Sequence, residues 1–496
     1  MMPFPSDNGE IMNRRQFLKF SGNALWQASV YSTLFSAGKL SFADASELAT
    51  PALQALTKGA QGPVLLPSDS EYLKHRIYSK RFHHIQATVI LLCLNEDDVV
   101  LGLNWAKENQ MKFCVRSGGH SYEGYSVCEG LVMDLSLMKA VTIDSVSKTA
   151  IVQTGTKLGQ MYDAVSAEGY ALVGGTCPDV GIGGHASGGG QGNLSRKLGL
   201  VIDNIVSLKI VTADGKLLRA SATENPDLFW ACRGGGGGNF GIVTEFQMKL
   251  HEIPSVSIVE IHCKDDAKES FLAWQKWIAN CPDELSTVLE ISARSGKFYD
   301  IEIHGQHLGS EEDLKSIVQP LMDAMPGATA KYSAMSFIKS IHHFAGPRPE
   351  SEYFKASADF VEQDLNESAF DTLSALLLDT SCPGVTLEFI QYGGAIKRVR
   401  PDETAFPHRN AEFCVQYFAS WDKPEQEADS IQFVKKLRKT MQPFVTGGCY
   451  VNYLDADITN FAEAYYQKNL PRLSQIKTAV DPKRVFTFAQ AIPSQS

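Results

Sequence analysis

The sequence predicts an α+β chain in two lobes, a mixed lobe of alternating strands and helices followed by an open antiparallel sheet. Three observations carry this. From Tyr72 onward, strand-like runs alternate with helix-like ones and lead into glycine-rich loops. Past Leu250 the strands change to a two-residue alternation of polar and apolar side chains, the mark of a sheet with one packed face and one open face. The chain's 496 residues at 44% apolar content also suffice for more than one core, since a domain takes roughly 100–200 residues.

The first 43 residues read as a leader outside both lobes. Asn13-Arg14-Arg15-Gln16-Phe17-Leu18-Lys19 precedes an uncharged stretch, residues 20–38, that is too polar for a confident membrane span, and Ser41-Phe42-Ala43 supplies a small-residue cleavage site. This resembles a twin-arginine signal. It predicts export across a bacterial inner membrane to the periplasm or beyond, with no stable membrane association once it is removed. A net charge of −10 and the lack of a basic run after residue 20 argue against nucleic acid as a partner.

In the first lobe, residues 87–92 form a buried-strand run, 96–109 have helical spacing with acids in the first turn, and 112–116 are a second strand. Residues 131–135, 141–143 and 150–153 continue the strands, and 158–168 read as a helix. In the second lobe, 260–262, 288–292 and 298–304 alternate as strands, and 310–325 read as a helix stopped by Pro326-Gly327. Residues 413–417 and 449–455 are two later strands, the first placing Cys414 and Gln416 on one face. A closing helix spans 466–477.

The chemistry concentrates between these elements. The strand at 112–116 runs into Arg116-Ser117-Gly118-Gly119-His120-Ser121-Tyr122, and a second loop carries Gly174-Gly175-Thr176-Cys177-Pro178-Asp179-Val180-Gly181 on to Gly184 and Gly192. Each loop sets one nucleophile among glycines. Glycine lets a ligand approach the main chain closely, so bare amides can face a phosphorylated cofactor, while imidazole and thiolate can both bond to it covalently. A third run, Gly234 to Gly238, leads through Asn239-Phe240-Gly241-Ile242-Val243-Thr244 into a strand.

With these loops on the page, the chain resembles the berberine-bridge-enzyme-like flavoproteins, which have the vanillyl-alcohol-oxidase type of FAD fold. The ending Val485-Phe486-Thr487-Phe488-Ala489-Gln490-Ala491-Ile492-Pro493 matches that family's C-terminal signature. The resemblance implies an FAD-binding domain over residues 44–250, a substrate domain over 251–445, and a C-terminal segment, 446–496, that returns to the FAD domain. It implies FAD held by two bonds, from His120 to the 8α-methyl and from Cys177 to carbon 6, which would raise the redox potential and leave an open pocket. Arg116, Ser117, Gly118, Gly119, Ser121, Gly174, Gly175, Thr176, Val180, Gly181, Gly184, Gly192, Gly241, Val243 and Asn452 are the further FAD-site candidates. Tyr453 is implied as the general base, its phenol shifted down, with Gln416 and Tyr122 as hydrogen-bonding partners. Gln191 and Cys414 depart from the plant alcohol-oxidising pattern, which often has tyrosine and sometimes lysine at these places. In the family, valine at the position of Val180 goes with oxidases and leucine with dehydrogenases.

Other motifs carry less. Gly181-Ile182-Gly183-Gly184-His185-Ala186 matches the dinucleotide fingerprint, with Asp203 where a ribose-binding acid would sit, but the glycines that follow disfavour a long helix. His185 is expected to be a structural donor. No nucleotide phosphate loop ends in Gly-Lys-Ser or Gly-Lys-Thr after the third glycine run. The pairs His83-His84, His304-His307 and His342-His343 lack the carboxylates of a metal site, so none is expected. Ten cysteines without a C-x-x-C spacing read mostly as buried small residues. The function expected is an oxidase that moves a hydride from an alcohol, a sugar or a secondary metabolite, to FAD, with oxygen as acceptor and hydrogen peroxide as product. The alternatives are a flavin dehydrogenase with another acceptor and a non-catalytic secreted binder on the same fold.

Overall fold

A computed structural model describes residues 51–263, 267–294 and 297–495; the expected leader lies outside them. The helix Pro51–Gly59 begins the described chain in a unit that ends at Lys58, and all that follows belongs to a second unit that begins at Gly59.

Three sheets build this unit. The first holds β1 (Val64–Leu65), β2 (Val89–Leu92), β3 (Phe113–Arg116) and β4 (Leu131–Asp134) in the order β1-β2-β4-β3, with β2 and β3 both parallel to β4. Parallel neighbours need a crossover, and the helix Glu96–Glu108 supplies it. The side chain of Asn95 accepts from the Asp98 amide at 3.1 Å to start that helix, and three acids fill its first turn. Val99, Leu103, Trp105 and Ala106 bury its inner face.

The second sheet is antiparallel and runs β5-β6-β9-β7-β8, formed by Val141–Asp144, Thr149–Gln153, Ile205–Val211, Leu217–Ser221 and Ile242–Lys249 for β5 to β9 in chain order. Its central strand, β9, follows directly on the third glycine run.

The third sheet has seven antiparallel strands: β10 (Ser255–Cys263), β11 (Leu285–Arg294), β12 (Lys297–His307), β13 (Thr329–Ser336), β14 (Tyr353–Val361), β15 (Gly384–Gln391) and β16 (Phe413–Trp421), in the order β13-β10-β12-β11-β15-β16-β14. Its two faces are sorted by the expected alternation. Leu289, Ile291, Ile303, Leu387, Phe389, Phe413, Val415 and Tyr417 pack in one core with residues of the helices Ala267–Ile278, Glu311–Ala324, Glu367–Leu378 and Glu427–Met441. Glu290, His304, Gln306, Glu388 and Gln416, from the alternate positions, face a cavity. The helix expected over 310–325 is capped by Ser310, whose Oγ accepts from the Asp313 amide at 3.1 Å.

One expectation near the C-terminus fails. Residues 449–455 form no strand; the chain turns there, with the Tyr453 amide donating to the Tyr450 carbonyl at 2.8 Å. The closing helix forms but starts later than expected, over Leu470–Val480, because Gln467, at a φ of +44°, separates it from a preceding helix, Phe461–Tyr466. The chain then comes back to the third glycine run. Lys477 Nζ donates to the carbonyls of Asn239 and Phe486 at 2.6 and 2.7 Å, and the Ile492 amide donates to Asn239 Oδ1 at 2.9 Å.

Candidate active site

The glycine loops and the polar face of the third sheet close around one cavity of about 1010 Å³. Ligand sites generally run from about 300 to 1,000 Å³, so this one takes a large cofactor and leaves room beside it. Ser117, Gly118, Gly119, His120, Ser121, Tyr122, Gly175, Thr176, Cys177, Val180, Gly181, Gly184, Gly192, Gly241, Val243, Gln416, Asn452 and Tyr453 all line it. Arg116 and Gly174 do not. Arg116 lies opposite Asp134 in the parallel ladder; its Nε donates to that carboxylate at 3.1 Å and its Nη2 stands 3.0 Å away as an ion-pair contact, so it locks the strand ends below the loop. Burial alone would raise the Asp134 carboxyl, but the His75 hydrogen bond, then the Arg116 charge and the Ser136 hydrogen bonds, hold it down at about 2. Gly174 backs the second loop, where a Cβ would stand 2.6 Å from the Tyr162 hydroxyl.

The two nucleophile loops cross main chain to main chain. A Cβ on Gly118 would lie 2.2 Å from the Gly181 amide nitrogen, far inside contact distance, so only glycine allows the crossing. Ser117 Oγ donates to the Thr154 carbonyl at 2.5 Å and pins the first loop. The His120 ring stacks on Tyr78, centroids 4.4 Å apart, and burial pushes the imidazole down to about 4, which keeps it neutral and nucleophilic. Burial raises the Cys177 thiol, with the Arg348 charge opposing the shift. Tyr78 is within electrostatic reach of Cys177, so His120 and Cys177 are brought to one region of the cavity wall.

The remaining second-loop residues are held by hydrogen bonds. The Gly175 amide donates to His185 Nε2 at 3.0 Å, which corrects the expectation for His185: it accepts, and burial pushes its pKa down to about 4. Asn452 Nδ2 donates to the His185 carbonyl and to the Tyr450 hydroxyl at 3.0 and 2.9 Å. The fingerprint acid Asp203 is spent elsewhere, taking two bonds of 2.8 Å from Arg409. His83 and His84 bond main-chain carbonyls, while His304 and His343 pair with Glu302 and Glu260. Seven of the ten cysteines are buried.

Opposite the nucleophiles stands an aromatic and amide cluster. Tyr122 and Tyr453 stack with centroids 5.5 Å apart and planes within 10°. Gln416 Nε2 donates to the Tyr122 hydroxyl at 3.0 Å, and Gln191 Nε2 donates to the Tyr453 hydroxyl at 2.9 Å. Below them a buried ionic group ties three segments together. Lys355 Nζ donates to Glu123 and Asp455 at 2.5 and 2.6 Å, next in sequence to Tyr122 and two residues beyond Tyr453. Burial pushes the Tyr453 phenol well above its ordinary value, and the neighbouring Tyr122, Glu388 and Cys414 add to the effect.

Bare main chain at Gly118, Gly119, Gly181, Gly184 and Gly236 to Gly238, flanked by two nucleophiles, fits a phosphorylated flavin. The FAD binding domain family matches residues 87–221, and the family described as berberine and berberine like matches residues 449–493. The chain is 35% identical over 439 residues to YgaK, an uncharacterised FAD-linked oxidoreductase of Bacillus subtilis, covering 87% of this chain and 97% of that one. This chain belongs to the berberine-bridge-enzyme-like FAD-linked oxidoreductases.

Solved members share the architecture of this berberine-bridge-like enzyme. Physcomitrella patens BBE-like 1 superposes with a TM-score of 0.84 at 30% identity, over 90% of this chain and all of that one. A chitooligosaccharide oxidase does so with a TM-score of 0.81 at 25% identity, again over 90% of this chain and all of that one. The enzyme is therefore an FAD-dependent oxidoreductase of α+β fold. Among the cavity residues that escaped the sequence reading are Tyr78, Glu290, Arg348 and Glu388. A signal for two of them was present, since Val288-Leu289-Glu290-Ile291 and Thr386-Leu387-Glu388-Phe389 each put a lone acid inside an apolar strand.

Proposed function

We propose that the enzyme is an oxidase of alcohols, with a hydroxyl-rich substrate such as a sugar derivative, that carries FAD on both His120 and Cys177 and returns its electrons to oxygen as hydrogen peroxide. The observation that carries the reading is the pairing of one wall bearing both nucleophiles with a facing sheet lined by Glu290, Glu388, His304, Gln306, Gln416 and Thr386. Such a sheet offers donors and acceptors for several hydroxyls at once, as a polyol requires and a hydrocarbon does not. The similarity to a chitooligosaccharide oxidase supports the same class. FAD, when bound, supplies the hydride acceptor. The chain supplies the rest: the glycine loops seat the cofactor, His120 and Cys177 tether it, and the sheet orients the alcohol. Val180 lines the cavity beside the tethering cysteine, and its short side chain leaves space that leucine would fill. Residues 1–43 would export the loaded protein.

The test has two parts. Anaerobic mixing with sugars, aromatic alcohols and amines should bleach the flavin with a sugar-class alcohol; bleaching by amines alone overturns the substrate class. Stopped-flow mixing of the reduced enzyme with aerated buffer should restore the yellow absorbance quickly, and more slowly in Val180→Leu. Slow wild-type reoxidation makes the enzyme a dehydrogenase. Yellow fluorescence that stays with the acid-denatured chain, survives either single replacement of His120 or Cys177 and is lost only in the double replacement supports the double tether.

A further inference from the structure

We infer that Cys114 and Cys128 form a peroxide-reactive dithiol, which closes to a disulfide and clasps the loop that carries His120. By sequence the cysteines read mostly as small buried residues. The structure gives these two a combination of features that packing does not need: they touch each other, they face the cavity, and they stand one on each side of a tethering nucleophile.

Cys114 lies on β3, six residues before His120, and Cys128 lies eight residues after it, where the loop runs back toward β4. The two ends of this loop already meet through main chain. The Leu131 amide donates to the Lys112 carbonyl at 2.9 Å, and a Cβ on Gly130 would stand 2.0 Å from that same oxygen. Beside this closure the two sulfurs are in hydrogen-bonding contact, with the Cys114 thiol donating to Cys128. Both are thiols in this structure, and thiols already in contact need little backbone movement to join. Both side chains line the cavity, so a molecule as small as hydrogen peroxide reaches them from there.

Their surroundings give the two sulfurs different parts. The hydrogen bond from Cys114, with the charges of Lys112 and Arg116, holds the Cys128 thiol below its ordinary value, while burial and Glu129 oppose the shift. Burial raises Cys114, so this sulfur keeps its proton for the shared bond. When Cys128 is protonated it donates to the Leu131 carbonyl at 3.5 Å, and that is the proton it loses on becoming the thiolate. Thiolate is the form that attacks peroxide. Burial raises the thiols of Cys93, Cys232, Cys281 and Cys414, which leaves little thiolate at those positions.

The Cys128 thiolate attacks one oxygen of the peroxide. The O–O bond breaks, its electron pair leaves on the other oxygen, which takes the proton Cys128 lost and becomes water, and Cys128 is left as a sulfenic acid. The Cys114 sulfur then attacks the Cys128 sulfur. The S–O bond breaks, the departing oxygen takes the Cys114 proton as a second water, and an S–S bond forms. Two thiols have given up two electrons between them, and one peroxide has been reduced to two waters. The oxidase proposed above would make that peroxide in the same cavity, but the step asks only for a peroxide. The new bond ties residues 115–127 into a covalent loop around His120, which removes freedom from the unfolded chain.

The test reduces the purified full chain, flavin bound, with a phosphine, removes the reductant and adds hydrogen peroxide. The remaining thiols are then alkylated and the peptides mapped without further reduction. Wild type should yield peptides joined through Cys114 and Cys128 and lighter by two hydrogens, with these thiols lost on the order of 10-fold faster than those of Cys232 or Cys414. Cys114→Ser should stop at a Cys128 sulfenic acid, captured by a cyclic dione, and Cys128→Ser should leave Cys114 a thiol. Oxidised wild type should melt a few degrees above its reduced form, and neither variant should show that gap. Wild type that leaves the two sulfurs unlinked, that carries Cys128 on to the sulfinic acid, or whose linked form melts no higher than the reduced one overturns the inference. Because the peroxide is added, each of these results stands whether or not the enzyme oxidises alcohols.

Discussion

Replacing Lys355 by methionine should cost this protein a large part of its stability. The ammonium is 1% exposed and makes contacts of 2.5, 2.6 and 3.1 Å to Glu123, Asp455 and Asp457. Arg81 stands 3.6 Å from Glu123 and Lys435 2.8 Å from Asp457, so three acids are balanced by three bases. Methionine fills the volume but leaves Asp455 with only Ser357 Oγ at 2.6 Å and the Asp457 amide at 2.9 Å as hydrogen-bond donors to its carboxylate. An uncompensated buried charge costs roughly 3–5 kcal/mol, a large share of the 5–15 kcal/mol that holds an ordinary domain folded. Urea unfolding should register that loss, and the flavin spectrum should change with it, because Glu123 and Asp455 hold the segments that stack Tyr122 on Tyr453. Adding Asp455→Asn should recover part of the loss, since it removes one of the stranded charges. A cost under about 1 kcal/mol, or a double variant no more stable than the single one, would refute the charge argument.

Two glycines separate folding from cofactor seating. Gly118→Ala should cost roughly 1–3 kcal/mol and flavin content together, because its Cβ meets the Gly181 main chain; Gly184→Ala, whose Cβ meets no protein atom within 4 Å, should unfold like wild type and lose flavin content only. Acid should destabilise the protein through His408, whose ring is 2% exposed, stacks on Phe360 at 4.1 Å and bonds the Tyr465 carbonyl through Nε2 at 3.1 Å. Burial pushes this imidazole from 6.5 down to about 3, so its contribution is complete above pH 6.5 and is lost as pH falls toward 3, on the order of 4–5 kcal/mol in all. Melting temperature against pH should flatten over that window in His408→Gln; an unchanged slope would reassign the acid lability.

The legible part of this chain was its punctuation and its periodicity. A glycine run with one nucleophile is visible in one dimension because it has no other common use, and the strands of the third sheet are visible because one face must be apolar. The 449–455 turn misled for the same reason: Cys449, Tyr450 and Val451 are apolar and buried, so a local pattern reads as a strand. Its shape is set by distant partners, the Ala464 carbonyl that accepts from the Cys449 amide and the Gly190 amide that donates to the Tyr450 hydroxyl. Arg116 misled because loop membership was read as cavity membership, whereas the strand's alternation turns it toward Asp134.

Glu388 shows what sequence periodicity alone leaves hidden. Its strand identifies it as a lone acid on a polar face, which by itself means a solvated edge. Its chemistry comes from three things that no window of sequence contains: Glu290 brought alongside by the β11–β15 ladder, Gln416 by β15–β16, and the cavity that these side chains share with the glycine loops. Take away the ladder and the acid is an ordinary surface carboxylate; keep it, and burial together with the neighbouring Glu290 raises it to about 7. A carboxyl raised this way depends partly on its neighbour, so Glu290→Gln should lower the Glu388 titration toward the usual carboxylate range, read from the infrared carboxyl band followed against pH. An unshifted band in that variant would mean that burial alone sets the value.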